Sequence, residues 1–222
     1  MPERVQKGQG TMRAFTFENA TKIYFGGGCV KEHLLEAVKP YGETVMLAYG
    51  GGSIKTNGIY QEVMDVLKLA GKQVIEFSGI MPNPTYSKVM EGKKVVQENQ
   101  VDLILAVGGG SVMDCSKAIS MAAATDKDVW EEYWIKKGEI DFEPVPVGVI
   151  VTVVGTGSEV NGEGVITHEE QKIKTSRNYP RCNPVFAMMD PKYTYTVSPL
   201  QTAAGGFDML SHVMHTTSNR PY

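Results

Sequence analysis

Two hydrophobic periods alternate along the chain. Short, nearly continuous apolar runs recur at Thr44–Tyr49, Val74–Phe77, Leu103–Val107, Val147–Val154 and Val185–Met189. Runs of this length with no polar alternation read as strands buried on both faces and are too short for helices. Between them, apolar residues fall at helical spacing: Val30, Leu34, Leu35 and Val38; Ile59, Val63, Val66, Leu67 and Ala70; Val112, Cys115, Ile119 and Ala122. A further helix is predicted over about 85–99, its outer face carrying Glu91, Lys93, Lys94 and Glu98. Strand, turn and helix in repeated succession predict an α/β fold with a parallel sheet covered on both sides. Ligands of such sheets bind beyond the C-terminal strand ends.

Other stretches break this rhythm. Phe15–Phe17 and Lys22–Phe25 read as short strands of an edge hairpin around Glu18-Asn19-Ala20. Residues 125–145 are polar and aromatic, with a short helix predicted at Val129–Ile135. Trp130 and Trp134 are expected there at half-buried interface positions, where large amphipathic rings are common. Val165–Thr167 and Ile173–Thr175 flank His168-Glu169-Glu170-Gln171 as a small hairpin. At Ser198-Pro199 the character changes: Ser as N-cap and Pro at the first helical position open a helix, and no strand pattern follows. The division expected is therefore a polar leader or tag at residues 1–11, with Met12 as a candidate start, an α/β domain at 12–197, and the first helix of a second, helical domain at 198–222.

Bulk properties narrow the function classes. A formal net charge of −3 over 222 residues gives no basic footprint for nucleic acid. No apolar run approaches the ~20 residues of a membrane span, and residues 1–11 lack the apolar core of a signal peptide. Cys29, Cys115 and Cys182 are widely spaced and form no CxxC, which fits reduced thiols and a cytoplasmic setting.

Candidate chemistry lies at the strand ends. Leu103–Val107 runs into Gly108-Gly109-Gly110-Ser111 and then a helix. Such a junction offers unpaired backbone N–H groups and the positive end of a helix dipole, suited to phosphate, while Ser111 can cap the helix or donate to an oxyanion. Glycines also simply turn chains, so the turn alone leaves both readings open. A second turn, Gly50-Gly51-Gly52-Ser53, follows Thr44–Tyr49 with Lys55 just beyond. Two such turns at one sheet edge suit a ligand with two phosphate regions. Gly155-Thr156-Gly157-Ser158-Glu159 follows Val147–Val154 with hydroxyls for ribose or phosphate, or as a plain polar turn. Asp208 and His212 are i, i+4 on one helix, close enough to share a metal or to form a surface hydrogen bond; His215 could join that face.

Five motifs in order then make the sequence resemble the iron-containing (group III) alcohol dehydrogenases: Pro-Asn-Pro-Thr (82–85), Gly-Gly-Gly-Ser-Val-Met-Asp-Cys-Ser-Lys (108–117), Thr-Val-Val-Gly-Thr-Gly-Ser-Glu-Val (152–160), Pro-Val-Phe-Ala-Met-Met-Asp-Pro (184–191) and Gly-Phe-Asp-Met-Leu-Ser-His (206–212). Phe17–Gly26 also looks like that family's opening, and the resemblance runs from about Met12 to Met214. It implies a dinucleotide-binding α/β domain followed by a helical metal domain. By this resemblance Gly109, Gly110, Ser111 and Asp114 hold the cofactor pyrophosphate, and Asn83 lies near the adenosine ribose. Thr152, Thr156 and Ser158 contact the nicotinamide half, Lys174 points at the cofactor, and Asp208 and His212 are the first two of four ligands to a divalent metal, iron or zinc. The activity implied is hydride transfer between NAD(P) and a primary alcohol or aldehyde, with the metal lowering the pKa of the alcohol oxygen.

The first turn refines the cofactor. NAD-preferring members carry an Asp there, whereas Gly51, Gly52 and Ser53 with Lys55 offer donors and a cation to a 2′-phosphate. The expectation is NADP(H), with NAD possible, as in the butanol dehydrogenase and aldehyde reductase branch. A glycerol dehydrogenase-like or dehydroquinate synthase-like reading fits the close Asp208/His212 pair less well. His215 stands where the family usually has Glu, and the two further histidine ligands and most of the substrate pocket are expected in a part of the family that this sequence does not include. The alternative carried is therefore a nucleotide-binding fragment without catalysis. A homodimer through the Phe15–Phe25 edge is implied by resemblance.

Overall fold

The computed structural model describes Thr16 and residues 18–218, the side chains of 216–218 excepted. Six parallel strands form one sheet: β1 (Lys22–Phe25), β2 (Thr44–Tyr49), β3 (Gln73–Phe77), β4 (Leu103–Gly108), β5 (Val147–Val151) and β8 (Phe186–Met189). Their spatial order is β1-β8-β5-β4-β2-β3. Strands β6 (Glu163–His168) and β7 (Ile173–Asn178) make a separate antiparallel hairpin. The helices are α1 (Cys29–Val38), α2 (Ser53–Thr56), α3 (Ile59–Leu69), α4 (Tyr86–Glu98), α5 (Gly110–Ala123) and α6 (Pro199–Ser218).

The continuous apolar runs are explained by the two layers. Along β2, Met46 and Ala48 face one side of the sheet with Ile104, Ala106, Val147 and Val149, under α4 and α5. Val45, Leu47 and Tyr49 face the other with Leu103, Leu105 and Val107, under α1 and α3. Burying each such side chain contributes on the order of 1.5–3 kcal/mol before ordering entropy is charged against it. Close packing demands glycine where the layers meet: a Cβ on Gly148 of β5 would lie 2.2 Å from the Phe186 ring, and one on Gly92 of α4 would lie 2.3 Å from Ile119 Cδ1.

Three sequence expectations are corrected here. Strand β1 pairs in parallel with β8 (Lys22 opposite Phe186, Phe25 opposite Met189) and is not half of a local hairpin. Asn19 fixes the approach to it, accepting from Thr21 N–H and donating to the Val160 carbonyl at 3.0 Å. Phe15 and Phe17 lie outside the described residues. Trp130 and Trp134 are buried in the core on the α5 side, with their indole N–H groups satisfied by Gln171 and the Gly164 carbonyl, so they mark no interface. The turn of helix carrying them, Trp130–Ile135, is π-wound. The Val147–Val154 run leaves the sheet at Val151, ahead of Gly155 at φ 144°. The three cysteines are free and buried, and burial raises each thiol, Cys115 and Cys182 to about 12. Among the described residues no helix is long and apolar enough to cross a membrane.

Candidate active site

Strand order creates the site. After β2 the chain moves to one neighbour, β3; after β3 it crosses to the other neighbour, β4. The α2/α3 connection covers one face and α5 the other, so a crevice opens above adjacent strands β2 and β4, where such folds take ligands. Tyr49 and Val107 are register partners at their C-terminal ends. Both Gly-Gly-Gly-Ser turns therefore emerge side by side.

Helix α5 opens directly on the crevice. Val112 and Met113 N–H both donate to the Gly109 carbonyl, and the amides before them have no partner within the helix by its geometry. The cap is Gly109, in extended conformation and with no side-chain cap bond; Ser111 sits inside the first turn, so of its two expected roles the capping one is not realised. The strand-end loop after β5 covers this turn. A Cβ on Gly110 would come within 2.8 Å of Thr156 Cγ2 and Oγ1, and one on Gly109 within 3.0 Å of Val153. Thr152 N–H donates to the Gly108 carbonyl at 3.0 Å, and Thr156 Oγ1 accepts from Ser158 N–H. The Gly108–Ser111 turn and the loop carrying Thr152 and Thr156 are thus packed together. By contrast, Cβ atoms on Gly51 or Gly52 would meet nothing within 4 Å, and Gly52 has φ 99°. These two amides line open space. The N-terminus of a fourteen-residue helix beside an open glycine turn is a setting in which backbone N–H groups can receive phosphate.

Asn83 and Lys174 come together from distant segments. Asn83, at φ 56°, accepts from Lys174 Nζ at 2.6 Å, and Thr167 N–H donates to the Pro84 carbonyl, tying the β6–β7 hairpin to the loop after β3. That loop in turn runs along the first glycine turn: Gly79 N–H donates to the Gly50 carbonyl.

Asp114 and Ser158, both expected on the cofactor, are bonded to each other. Ser158 Oγ donates to Asp114 Oδ1 at 2.5 Å, and Val165 N–H donates to Oδ2. Beneath them lies Lys117, only 2% exposed. Its ammonium donates to Ser158 O and Oγ and to Asn161 O, at 2.7–3.0 Å, with Asp114 Oδ1 3.8 Å away. Burial pulls Lys117 down to about 8 and pushes the Asp114 carboxyl up. This trio holds the floor of the 155–161 loop. Sequence reasoning gave Lys117 no role; the only trace was its i, i+3 spacing from Asp114.

A second polar cluster stands beside the first turn. Glu76 of β3 accepts from Lys55 Nζ at 2.8 Å, from Tyr49 OH at 2.5 Å and from Tyr60 OH at 2.7 Å. The Lys55 ammonium, then the two hydroxyls, hold this carboxyl down at about 2. Lys55, expected to offer a cation to a 2′-phosphate, is therefore paired with a carboxylate.

On α6, Asp208 Oδ1 and His212 Nε2 lie 3.7 Å apart, with both side chains substantially exposed. The helix reaches the crevice through glycine: a Cβ on Gly205 would lie 2.7 Å from the Val154 carbonyl, and one on Gly155 would lie 3.5 Å from Asp208 Oδ2. Among the described residues no group of three or more His, Cys, Asp or Glu side chains converges as a metal site. Two donors fall short of the three protein ligands of an open catalytic site.

Known proteins share this fold. The profile of the iron-containing alcohol dehydrogenases matches residues 20–191. The chain is 44% identical over 215 residues to a probable NADH-dependent butanol dehydrogenase of Bacillus subtilis, covering 95% of this chain and 55% of that one. It is 37% identical over 211 residues to an NADPH-dependent aldehyde reductase of Escherichia coli, covering 95% and 54%. Among solved structures, an NADH-dependent butanol dehydrogenase of Thermotoga maritima superposes with a TM-score of 0.85 at 38% identity, over 91% of this chain and 50% of that one. The chain thus spans about half the length of the relatives it matches. A parallel sheet shared with these structures, and a family profile covering most of the sequence, lead to one conclusion: this chain belongs to the iron-containing alcohol dehydrogenase family.

Proposed function

We propose that this chain supplies the dinucleotide-binding part of an NAD(P)-dependent alcohol dehydrogenase or aldehyde reductase acting on a primary alcohol or aldehyde of butanol type. The observation that carries the reading is the pair of glycine turns leaving adjacent strands β2 and β4 at the switch point. Gly109, Gly110 and Ser111 would cradle the pyrophosphate, and Gly51, Gly52 and Ser53 the adenosine end. Asn83 and Lys174 would border the ribose, and Thr152 and Thr156 the nicotinamide half; Asp114, Ser158 and Lys117 would shape that loop from below. The bound nicotinamide supplies the hydride chemistry. We assign NADP(H) as the preferred cofactor because the first turn carries no carboxylate of its own; relatives named for NADH and for NADPH both occur.

Asp208 and His212 are the residues a divalent iron or zinc ion would use, but as described they fall short of a complete site, so no chemical step is assigned to them. That shortfall supports a second reading, in which the 222-residue chain binds the dinucleotide without turnover. Metal analysis together with an aldehyde-reduction assay separates the two. Stoichiometric metal with turnover supports the enzyme, and NADPH binding with neither supports the second reading. We also propose that residues 198–222, of which 219–222 lie outside the described residues, belong to a separate unit opened by α6, and that the protein is cytoplasmic, where its buried free thiols would stay reduced. A homodimer is proposed through the β1 edge, where Phe25 is 72% exposed; light scattering that gives the mass of a single chain would refute it.

A further inference from the structure

We infer that Glu76 sets how strongly this site discriminates for the 2′-phosphate of its cofactor, by neutralising Lys55 beside the first glycine turn. The inference rests on the dinucleotide reading above. Tyr49 is the last residue of β2, immediately before Gly50–Ser53, and Lys55 lies on α2, immediately after it. Glu76 reaches across from the neighbouring strand, where it is the register partner of Leu47. Its two oxygens take three donors: Lys55 and Tyr49 on one, Tyr60 on the other. The ammonium is further confined over aromatic faces, 4.5 Å from the Tyr60 ring centre and 5.3 Å from that of Tyr49.

This cluster contributes little to folding, because the Lys55 and Glu76 side chains are 45% and 40% exposed and such pairs are strongly screened. Its effect falls on the neighbouring charge balance. A 2′-phosphate arriving at Gly51–Ser53 meets backbone dipoles and a hydroxyl, but the only cation of that segment already carries a carboxylate. The phosphate must compete with Glu76 for Lys55 or approach an overall neutral pair. NADH, with no charge at that position, is indifferent to the pair. Glu76 therefore restrains a preference that the turn alone would make strong.

The test is Glu76→Gln, which removes the charge and keeps the length and an acceptor oxygen. NADPH and NADH are titrated against the 222-residue chain at low ionic strength, following nicotinamide fluorescence. Removing one unit charge at this range is expected to raise the NADPH affinity relative to NADH by about tenfold. Adding Lys55→Met to E76Q should return the ratio to near the wild-type value. Should E76Q fold poorly, Glu76→Ala is read in the same way. An unchanged or lowered ratio in the folded variant, with both nucleotides still bound, overturns the inference alone. Failure of the wild-type chain to bind either nucleotide overturns the dinucleotide reading, and this inference with it.

Discussion

Lys117 shows how one residue can be decisive and yet hidden in the sequence. In a helix opening with Gly-Ser-Val-Met-Asp, a lysine reads as a solvated side chain, since lysines are almost never fully buried unless paired. The structure buries it under the 155–161 loop with three close acceptors and a carboxylate. Replacing it by methionine leaves Asp114 buried without its cation. Breaking such a pair costs about 3–5 kcal/mol, and equilibrium denaturation of K117M should show a loss of that size; a change under 1 kcal/mol would refute the role given to the ammonium. The same residue predicts a pH effect. Its folded value is pulled down to about 8 from an ordinary 10.5. Between those values the unfolded chain binds more protons, so this group's penalty on stability, full below pH 8, fades as pH rises toward 10.5. Function runs the other way: as the ammonium loses its proton above pH 8, the loop loses a donor. Nucleotide affinity in the wild type should fall between pH 7 and pH 9, and the fall should vanish in K117M. Glu76 was hidden for a different reason. It lies 21 residues beyond Lys55 in sequence, and only strand pairing brings it there.

Elements were legible where their determinants are local. Continuous apolar runs placed β2 and β4 because burial on both faces leaves no other reading for so short a stretch. Helix α4 was bracketed by its ends, Thr85 accepting from Lys88 N–H as N-cap. Strand β1 was misplaced because its partner β8 lies more than 150 residues away, and nothing local distinguishes a hairpin strand from a parallel edge. Helix α6 was foreseen from Ser198-Pro199, and Gln201 N–H does donate to Ser198 Oγ. Its docking on the crevice was not foreseen, since it depends on contact between Gly205 and the Val154 carbonyl. Gly205→Ala tests that contact with an informative sign. Alanine should favour an isolated helix by about 0.8–1 kcal/mol, whereas here its Cβ would press on backbone. We expect G205A to release α6, seen as faster amide exchange over residues 199–212 with the sheet unaffected. Slower exchange in that segment would contradict the docking.

For the whole molecule, the sequence pattern was enough for the α/β class and for placing the glycine turns at the C-terminal strand ends, because layer architecture follows from strand and helix periodicity. Strand order was not legible, since crossovers leave no local mark. The side-by-side placement of the two glycine turns is a consequence of that order. Asp208 and His212, proposed as metal ligands, lie on a helix of their own beside the glycine turns, with both side chains substantially exposed. Nucleotide binding can therefore be examined separately from catalysis. The most direct measurement is a fluorescence titration of the 222-residue chain with NADPH, repeated for Gly110→Val. We expect saturable one-to-one binding by the wild type and at least a tenfold weakening in G110V, whose folded state is checked by circular dichroism. Absence of binding by the wild type, or undiminished binding by the folded variant, would contradict the placement of the dinucleotide at this turn.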